Sequence, residues 1–159
     1  MAPIVYITGP PASGKTTLLQ NLKKQLPSVR CFSYGEELTH ICRERIGSEF
    51  DQEDLRSASA RVITTNDVEH ADLNLRREVE SLPHDVVLII DSHPVTREEY
   101  GFRVTPFSTN LVNEISPDII IALTLSPEET QKRLEDNPGG RKKVSHYAAL
   151  SHDQMQLSI

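Results

Sequence analysis

Residues 4–16 read IVYITGPPASGKT and carry the clearest indication of the fold. The first five of them, 4–8, form a short apolar run of the kind found in buried β-strands. Residues 9–16 then match the pattern G-x-x-x-x-G-K-[ST] in full, and leucines at helical spacing follow within 15–26. A strand, a glycine-rich loop and a helix in this order predict a turn that binds phosphate groups.

The chemistry of this loop follows from its residue types. Gly9 and Gly14 permit backbone conformations that turn successive N–H groups inward, and the helix N-terminus adds partial positive charge. Lys15 brings a cation to the β- and γ-phosphates, and the Thr16 hydroxyl can bind Mg²⁺. The full motif in this context favours nucleoside triphosphate binding over a tight turn with an incidental lysine. The predicted nucleotide-binding residues are Gly9, Ala12, Ser13, Gly14, Lys15, Thr16 and Thr17.

The remaining apolar runs extend the pattern of alternating strands and helices. Buried strands are predicted at 4–8, 86–90 and 119–125, with a weaker one at 29–34. Helical stretches are predicted at 15–26, 36–46, 53–82, 127–135 and 145–158. This order predicts an α/β fold, a doubly wound parallel sheet with helices on both faces, in a single domain over 1–159. No strand is predicted after the final helical stretch.

Composition narrows the class of protein. The chain has 159 residues, with 17 basic and 23 acidic side chains and a formal net charge of -6. Nucleic-acid-binding domains are usually basic, so DNA or RNA binding is not expected. Aliphatic runs such as 86–90 are far shorter than the ~20 residues of a membrane span, and two cysteines are too few for a disulfide framework. We expect a soluble cytoplasmic protein, either monomeric or oligomeric.

Asp91 is the second candidate site residue. It directly follows the run 86–90, so it should lie at the carboxyl end of a core strand, where ligands bind in open α/β sheets. There it either holds Mg²⁺, directly or through water, or caps the next turn; Asp118 precedes its strand and should face the opposite end. Arg97 and Arg103 follow Asp91 in a predicted loop, where they either bind phosphate or are plain loop charges.

The absence of one motif limits the classes of phosphate-loop protein to which the chain could belong. No asparagine is followed by lysine, so the Asn-Lys-x-Asp motif with which GTPases read guanine is absent from the sequence. The chain is also short for an oligomeric ATPase module. A small kinase or a nucleotide-dependent ATPase remains.

Several motifs in order give a family resemblance that spans most of the chain. They are Gly9 to Thr16, Ser33-Tyr34-Gly35, Asp91-Ser92-His93, Ser116-Pro117-Asp118-Ile119-Ile120, Ser126-Pro127-Glu128-Glu129 and Arg133-Leu134-Glu135. With these motifs the chain resembles the archaeal-type adenylate kinases and their eukaryotic nuclear relatives, a group of nucleoside monophosphate kinases. The Asp-x-His of Asp91 and His93 is the most discriminating of the motifs.

The resemblance implies ATP- and Mg²⁺-dependent phosphoryl transfer to a nucleoside monophosphate, with AMP as the leading candidate for the acceptor. It implies that a helical region at about 35–82 covers this acceptor, that Gly35 allows close backbone approach, and that Arg56 pairs with the acceptor phosphate. From its chemistry alone, Arg56 is equally well a solvated helix arginine. His93 either orients a water or a phosphate oxygen, as the resemblance favours, or packs under the loop that Pro94 stiffens.

The lid departs from the family pattern. Relatives commonly carry an arginine where this chain has Asn137, so Arg141 or Arg133 would have to replace it when a lid at about 137–144 closes. The predicted catalytic residues are Lys15, Asp91, His93 and Arg141. Two alternatives stay open: a kinase of a hydroxylated metabolite, with Asp91 accepting the hydroxyl proton, and a nucleotide-switched ATPase that remodels a partner.

Overall fold

Four parallel strands form the centre of the protein, and a separate two-stranded hairpin lies beside them. The computed structural model describes residues 2–92, 94–98, 101–104, 109–136 and 143–158. The strands are β1 (Ile4–Thr8), β2 (Val29–Ser33), β3 (Val87–Asp91), β4 (Val95–Glu98), β5 (Gly101–Val104) and β6 (Ile119–Ala122). The helices are α1 (Lys15–Gln25), α2 (Tyr34–Ile46), α3 (Gln52–Val62), α4 (Thr65–Ser81), α5 (Thr109–Ile115), α6 (Pro127–Asp136) and α7 (His146–Ser158).

The central sheet has the order β2-β3-β1-β6, and each of its neighbouring pairs is parallel. Asp91 at the end of β3 is in register with Ile7 of β1 and with Ser33 at the end of β2. The carboxyl ends of these strands therefore meet at one edge of the sheet, where the phosphate-loop motif begins. The predicted α/β class and parallel sheet are confirmed.

Helices cover both faces of the sheet because alternate strand residues point to opposite sides. On one face, Leu88 and Ile90 pack in a cluster that includes Leu75 of α4. On the other face, Ile7 and Ile89 pack against α1. Burying each such side chain contributes about 1.5–3 kcal/mol, so the two clusters hold the strand ends in a fixed arrangement.

The predicted helical stretch 53–82 is two helices. The first ends at Val62, and Thr64 caps the second: its hydroxyl accepts from the Asp67 backbone N–H at 3.2 Å, and Asp67 Oδ2 accepts from the Thr64 N–H at 2.8 Å. This reciprocal capping box satisfies N–H groups that a helix start leaves unpaired, and so favours a new start at Thr65.

The segment after Asp91 also differs from the prediction. In place of a plain loop, β4 and β5 form an antiparallel hairpin in which Arg97 lies opposite Phe102 and Thr96 lies opposite Arg103. Since neighbouring strand positions point to opposite sides, Arg97 and Arg103 project from opposite faces of the hairpin. Helix α5 then leads to β6.

Strand β6 forms one edge of the sheet and is shorter than predicted, since it ends at Ala122. Within the described ranges no strand pairs with its outer side, and Ile119 and Ile120 are 53% and 64% exposed. Helix α7 is the last element described. None of the helices in the described part of the chain is long and apolar enough to cross a membrane.

Candidate functional site

The loop between β1 and α1 has the backbone that a phosphate cradle needs. Gly9, Ala12 and Gly14 have positive φ angles of 151°, 64° and 94°. A Cβ atom on Gly9 would lie 2.6 Å from the carbonyl oxygen of Leu123, so this position has room for glycine only. Gly14 is the N-cap of α1, which directs the helix N-terminus at the loop.

Lys15 folds its side chain back over this loop. Its Nζ donates to the Gly9 carbonyl oxygen at 2.5 Å and to that of Pro10 at 3.2 Å, and lies 3.4 Å from Ser13 Oγ. The ammonium group is therefore at the mouth of the loop, held by neutral acceptors that an anionic phosphate can replace.

Asp91 is a half-buried carboxylate in the electrostatic field of this cation. Its Oδ1 atom is buried and has no hydrogen-bond partner among the residues that the structure describes. Burial raises the pKa of Asp91, the positive charge of Lys15 lowers it, and the negative charge of Glu36 raises it further. A buried carboxylate oxygen with no partner is costly for the folded protein, and such groups concentrate at functional sites.

Glu36 is a candidate site residue that the sequence analysis did not name. It lies in the first turn of α2, where its backbone N–H donates to the Ser33 hydroxyl at 3.4 Å, and its charge acts on Asp91. The sequence could have indicated Glu36, because it directly follows the motif Ser33-Tyr34-Gly35. Two acidic side chains thus contribute to the electrostatic environment at the carboxyl edge of the sheet.

The residues that could hold a cation are Asp91 and Thr16. Carboxylate and hydroxyl oxygens are the ligands that Mg²⁺ prefers, and Mg²⁺ usually completes its shell with water and phosphate oxygens. Thr16 and Thr17 lie exposed in the first turn of α1, open to a ligand at the loop. The unpartnered Oδ1 of Asp91 fits such a cation, directly or through water.

Arg133 of α6 reaches the phosphate loop from the other side. Its Nη1 donates to the Ala12 carbonyl oxygen at 3.1 Å, and its Nε donates to Glu129 at 2.6 Å. The sequence named Arg133 only as an alternative to Arg141 for the missing lid arginine. Arg141 and His93, with most of the predicted lid, lie outside the described residues.

Gly35 and Arg56 meet through one side chain, Gln52. A Cβ on Gly35 would lie 3.3 Å from Gln52 Nε2, and Arg56 Nη2 donates to Gln52 Oε1 at 2.7 Å. The start of α3 therefore approaches the start of α2 at a glycine, and Arg56 lies at this junction.

The two hairpin arginines have different surroundings. Arg103 Nη1 donates to the carbonyl oxygen of Ser59, one turn beyond Arg56 on α3, at 3.3 Å. Arg97 is exposed and its Nη1 donates to the Lys143 carbonyl oxygen at 2.8 Å. Arg103 thus belongs with Gly35 and Arg56 on the α3 side, whereas Arg97 lies toward the start of α7.

A family model and two adenylate kinases match this chain over most of its length. A family model described as AAA domain matches residues 8–147. The chain is 26% identical over 134 residues to an adenylate kinase of Pyrobaculum aerophilum, covering 84% of this chain and 64% of that protein. It is 27% identical over 153 residues to an adenylate kinase of Methanothermobacter thermautotrophicus, covering 96% of this chain and 78% of that protein. The chain thus spans less than two thirds of the first of these relatives.

Solved structures share the fold at lower identity. A chain of the Pnkp1/Rnl/Hen1 RNA repair complex aligns with a TM-score of 0.61 and 16% identity over 99% of this chain and 45% of that one. The tunicamycin resistance protein of Deinococcus radiodurans aligns with a TM-score of 0.59 and 16% identity over 97% of this chain and 79% of that one. These similarities concern the fold alone.

Proposed function

The chain belongs to the AAA-domain family, and from this premise we propose that it transfers the γ-phosphoryl group of ATP, with Mg²⁺, to a nucleoside monophosphate, AMP. The observation that carries the proposal is the buried Asp91 oxygen, which has no partner in the described part of the chain and lies in the field of Lys15. The similarity to two adenylate kinases supports AMP as the acceptor.

The donor nucleotide binds at the phosphate loop. The loop N–H groups and the α1 N-terminus bind the phosphate oxygens, and Lys15 exchanges the Gly9 and Pro10 carbonyls for the β- and γ-phosphates. Since the ammonium group already lies at the loop, little rearrangement precedes binding. Ala12, Ser13 and Thr17 complete the nucleotide-binding stretch.

Thr16 and Asp91 would hold Mg²⁺, directly or through water, where it would offset the negative charge that develops on the phosphate oxygens during transfer. Burial raises the pKa of Asp91 in the free protein, and a cation held there would favour its ionised form. Glu36 adds a second negative charge beside this position.

The acceptor binds between the start of α2, helix α3 and the hairpin. Gly35 leaves room for close approach of the ligand, and Arg56 exchanges the Gln52 amide for the acceptor phosphate. Arg103, held near α3 by the Ser59 carbonyl, supplies a second guanidinium, and Arg97 acts from the opposite face of the hairpin, on the side of α7. The helices at residues 34–81 form the acceptor-covering region.

Transfer needs no covalent enzyme intermediate. An oxygen of the acceptor phosphate attacks the γ-phosphorus, the bond from that phosphorus to the bridging oxygen of ADP breaks, and a nucleoside diphosphate forms. The acceptor phosphate is already ionised, so Asp91 removes no proton. Arg133 and Arg141 stabilise the transferring group, and His93 orients a water or a phosphate oxygen.

The test measures ADP formation from ATP and Mg²⁺ with AMP, CMP, GMP, UMP or a panel of hydroxylated metabolites. We expect AMP to stimulate ADP formation well beyond basal hydrolysis, because it supplies the nucleophile and the binding energy for closure. The Asp91→Asn variant should retain much of its ATP affinity and lose Mg²⁺-dependent turnover.

Two results would change the assignment. If every acceptor leaves ADP formation at the basal rate, the kinase proposal fails and a nucleotide-switched ATPase explains the phosphate loop. If a hydroxylated metabolite stimulates the reaction instead of AMP, Asp91 becomes the group that accepts the hydroxyl proton.

A further inference from the structure

Helix α7 carries two buried polar side chains on one face, four residues apart. His152 and Gln156 are each 4% exposed. Residues at this spacing lie one helical turn apart, so both point into the protein from the same side of α7. Neither belongs to the nucleotide or acceptor positions described above.

His152 holds the hairpin. Its Nε2 lies 2.9 Å from the carbonyl oxygen of Val95, the first residue of β4. A carbonyl oxygen only accepts, so Nε2 carries the proton and donates. The imidazole also packs against Phe102 of β5, with ring centroids 5.3 Å apart. One side chain therefore contacts both strands of the hairpin.

Gln156 holds the end of β1. Its Nε2 donates to Thr8 Oγ1 at 2.5 Å, and Thr8 is the residue before Gly9 of the phosphate loop. Its Oε1 is buried and has no hydrogen-bond partner within the residues described. An apolar side chain would fill this space without leaving a buried acceptor unsatisfied, so simple packing does not account for a glutamine here.

These two contacts fix helix α7 to the carboxyl end of β1 and to the hairpin. Because the hairpin carries Arg103, whose guanidinium donates to the Ser59 carbonyl of α3, these contacts connect the phosphate loop to the acceptor side.

We infer that His152 is a positioning residue: through Val95 and Phe102 it fixes the hairpin relative to the phosphate loop, so that Arg103 is in place before the acceptor binds. The inference rests on the proposed function for its kinetic consequence. Its structural consequence, a hairpin ordered by α7, does not depend on any activity.

The experiment compares His152→Leu, which removes the donor, with His152→Gln, whose amide N–H can still reach the Val95 carbonyl. Gln154→Ala, an exposed position on α7, is the matched control. Hydrogen exchange of the hairpin amides at 95–98 and 101–104 is measured in the free protein, and the apparent KM for AMP and the Kd for ATP are measured alongside.

In His152→Leu we expect hairpin amides to exchange about ten-fold faster, with exchange in β1 and β3 unchanged. We expect its KM for AMP to rise about five- to ten-fold while the Kd for ATP stays within about two-fold. His152→Gln should recover most of both effects, and Gln154→Ala should match the unaltered protein.

Three results would overturn the inference. Hairpin exchange in His152→Leu could equal that of the unaltered protein; His152→Gln could lose as much as His152→Leu; or protection could fall equally across all strands, which indicates a general loss of packing. If the unaltered protein is not stimulated by AMP, the proposed function fails, and the exchange data still decide whether His152 orders the hairpin.

Discussion

The phosphate loop and the proposed acceptor side, with Arg56, Arg97 and Arg103, are built in different ways. On the nucleotide side, Lys15 contacts Gly9 and Pro10, which are six and five residues away in the chain. On the acceptor side, Arg103 contacts Ser59 across 44 residues, and Arg97 contacts Lys143 across 46. The phosphate loop is one contiguous motif, whereas the arginine contacts of the acceptor side exist only after distant segments have come together.

Because of this difference, we expect single substitutions to affect nucleotide binding and acceptor binding to different extents. Loss of the Lys15 charge removes the cation that the loop itself supplies to the phosphates. Loss of one arginine from the assembled side leaves its neighbours in place, so the effect on acceptor binding is partial. We therefore expect a single substitution in the phosphate loop to abolish nucleotide use, and a single substitution on the acceptor side to weaken acceptor binding only in part.

The largest effect is expected for Lys15→Ala. The substitution removes the cation that stabilises the β- and γ-phosphates, and we expect ADP formation to fall by about 10²–10³-fold. The side chain points over the loop and not into the core, so the thermal melt should change little. ATP titration by calorimetry beside a melt measures both. Lys24→Ala, exposed in the last turn of the same helix, is the control, and unchanged ATP binding in a folded Lys15→Ala protein would contradict the phosphate-loop assignment.

Arg133→Ala should have the next largest effect. Its guanidinium lies at the loop through the Ala12 carbonyl, where it can stabilise the transferring group, and we expect kcat to fall about 10–100-fold. Its exposed ion pair with Glu129 is worth only ~0–1 kcal/mol, so stability should be nearly unchanged. Steady-state kinetics of this variant and of Lys132→Ala, its exposed neighbour, measure the difference. Equal rates for the two variants would exclude Arg133 from the reaction.

Arg103→Ala and Arg97→Ala compare the contributions of the two faces of the hairpin to acceptor binding. Arg103 faces α3, where Arg56 also lies, so its loss should raise the KM for AMP about ten-fold and leave the KM for ATP unchanged. Arg97 is exposed on the opposite face, and its loss should raise the KM for AMP less. The two variants are matched in charge and in strand context. A larger effect at Arg97 would place the acceptor on the hairpin face that carries Arg97 and Phe102.

The smallest expected effect concerns stability. Burial raises the pKa of Asp91 above its usual value of 3.8, so the ionised side chain destabilises the folded protein. The penalty is absent in acid, where Asp91 is protonated in both folded and unfolded states, and grows as pH rises through the unfolded and then the folded pKa. Asp91→Asn should therefore melt at a higher temperature than the unaltered protein at pH 7, with the gap closing toward acid pH. A lower melting temperature at pH 7 would mean that the attraction of Lys15 outweighs the burial of Asp91.

The sequence could predict those parts whose causes lie close together in the chain. The strand, loop and helix over 4–26 follow from local spacing, and Asp91 follows from its place at the end of an aliphatic run. The break at Thr64 was also readable, because a threonine with an aspartate three residues later is a capping signal. The prediction of one helical stretch overlooked it, since the apolar spacing continues across the break.

The rest depends on contacts that no local pattern contains. Arg133 reaches Ala12 across 121 residues, and Gln156 reaches Thr8 across 148. The hairpin after Asp91 was missed because each of its strands is only four residues long, too short for a clear alternation. Such residues become recognisable only when the sheet has brought the distant segments together.

The close approach of Gly9 to the Leu123 carbonyl oxygen limits which second substitutions could restore a Gly9 variant. The nearest obstacle to a side chain there is the Leu123 carbonyl oxygen, a backbone atom that every residue type at position 123 would carry. A compensating substitution at the contact is therefore unavailable, unlike in a core where a smaller neighbour can accommodate a larger residue. A screen for second-site revertants of Gly9→Ala should return no suppressor at position 123, and recovery should require a true reversion to glycine.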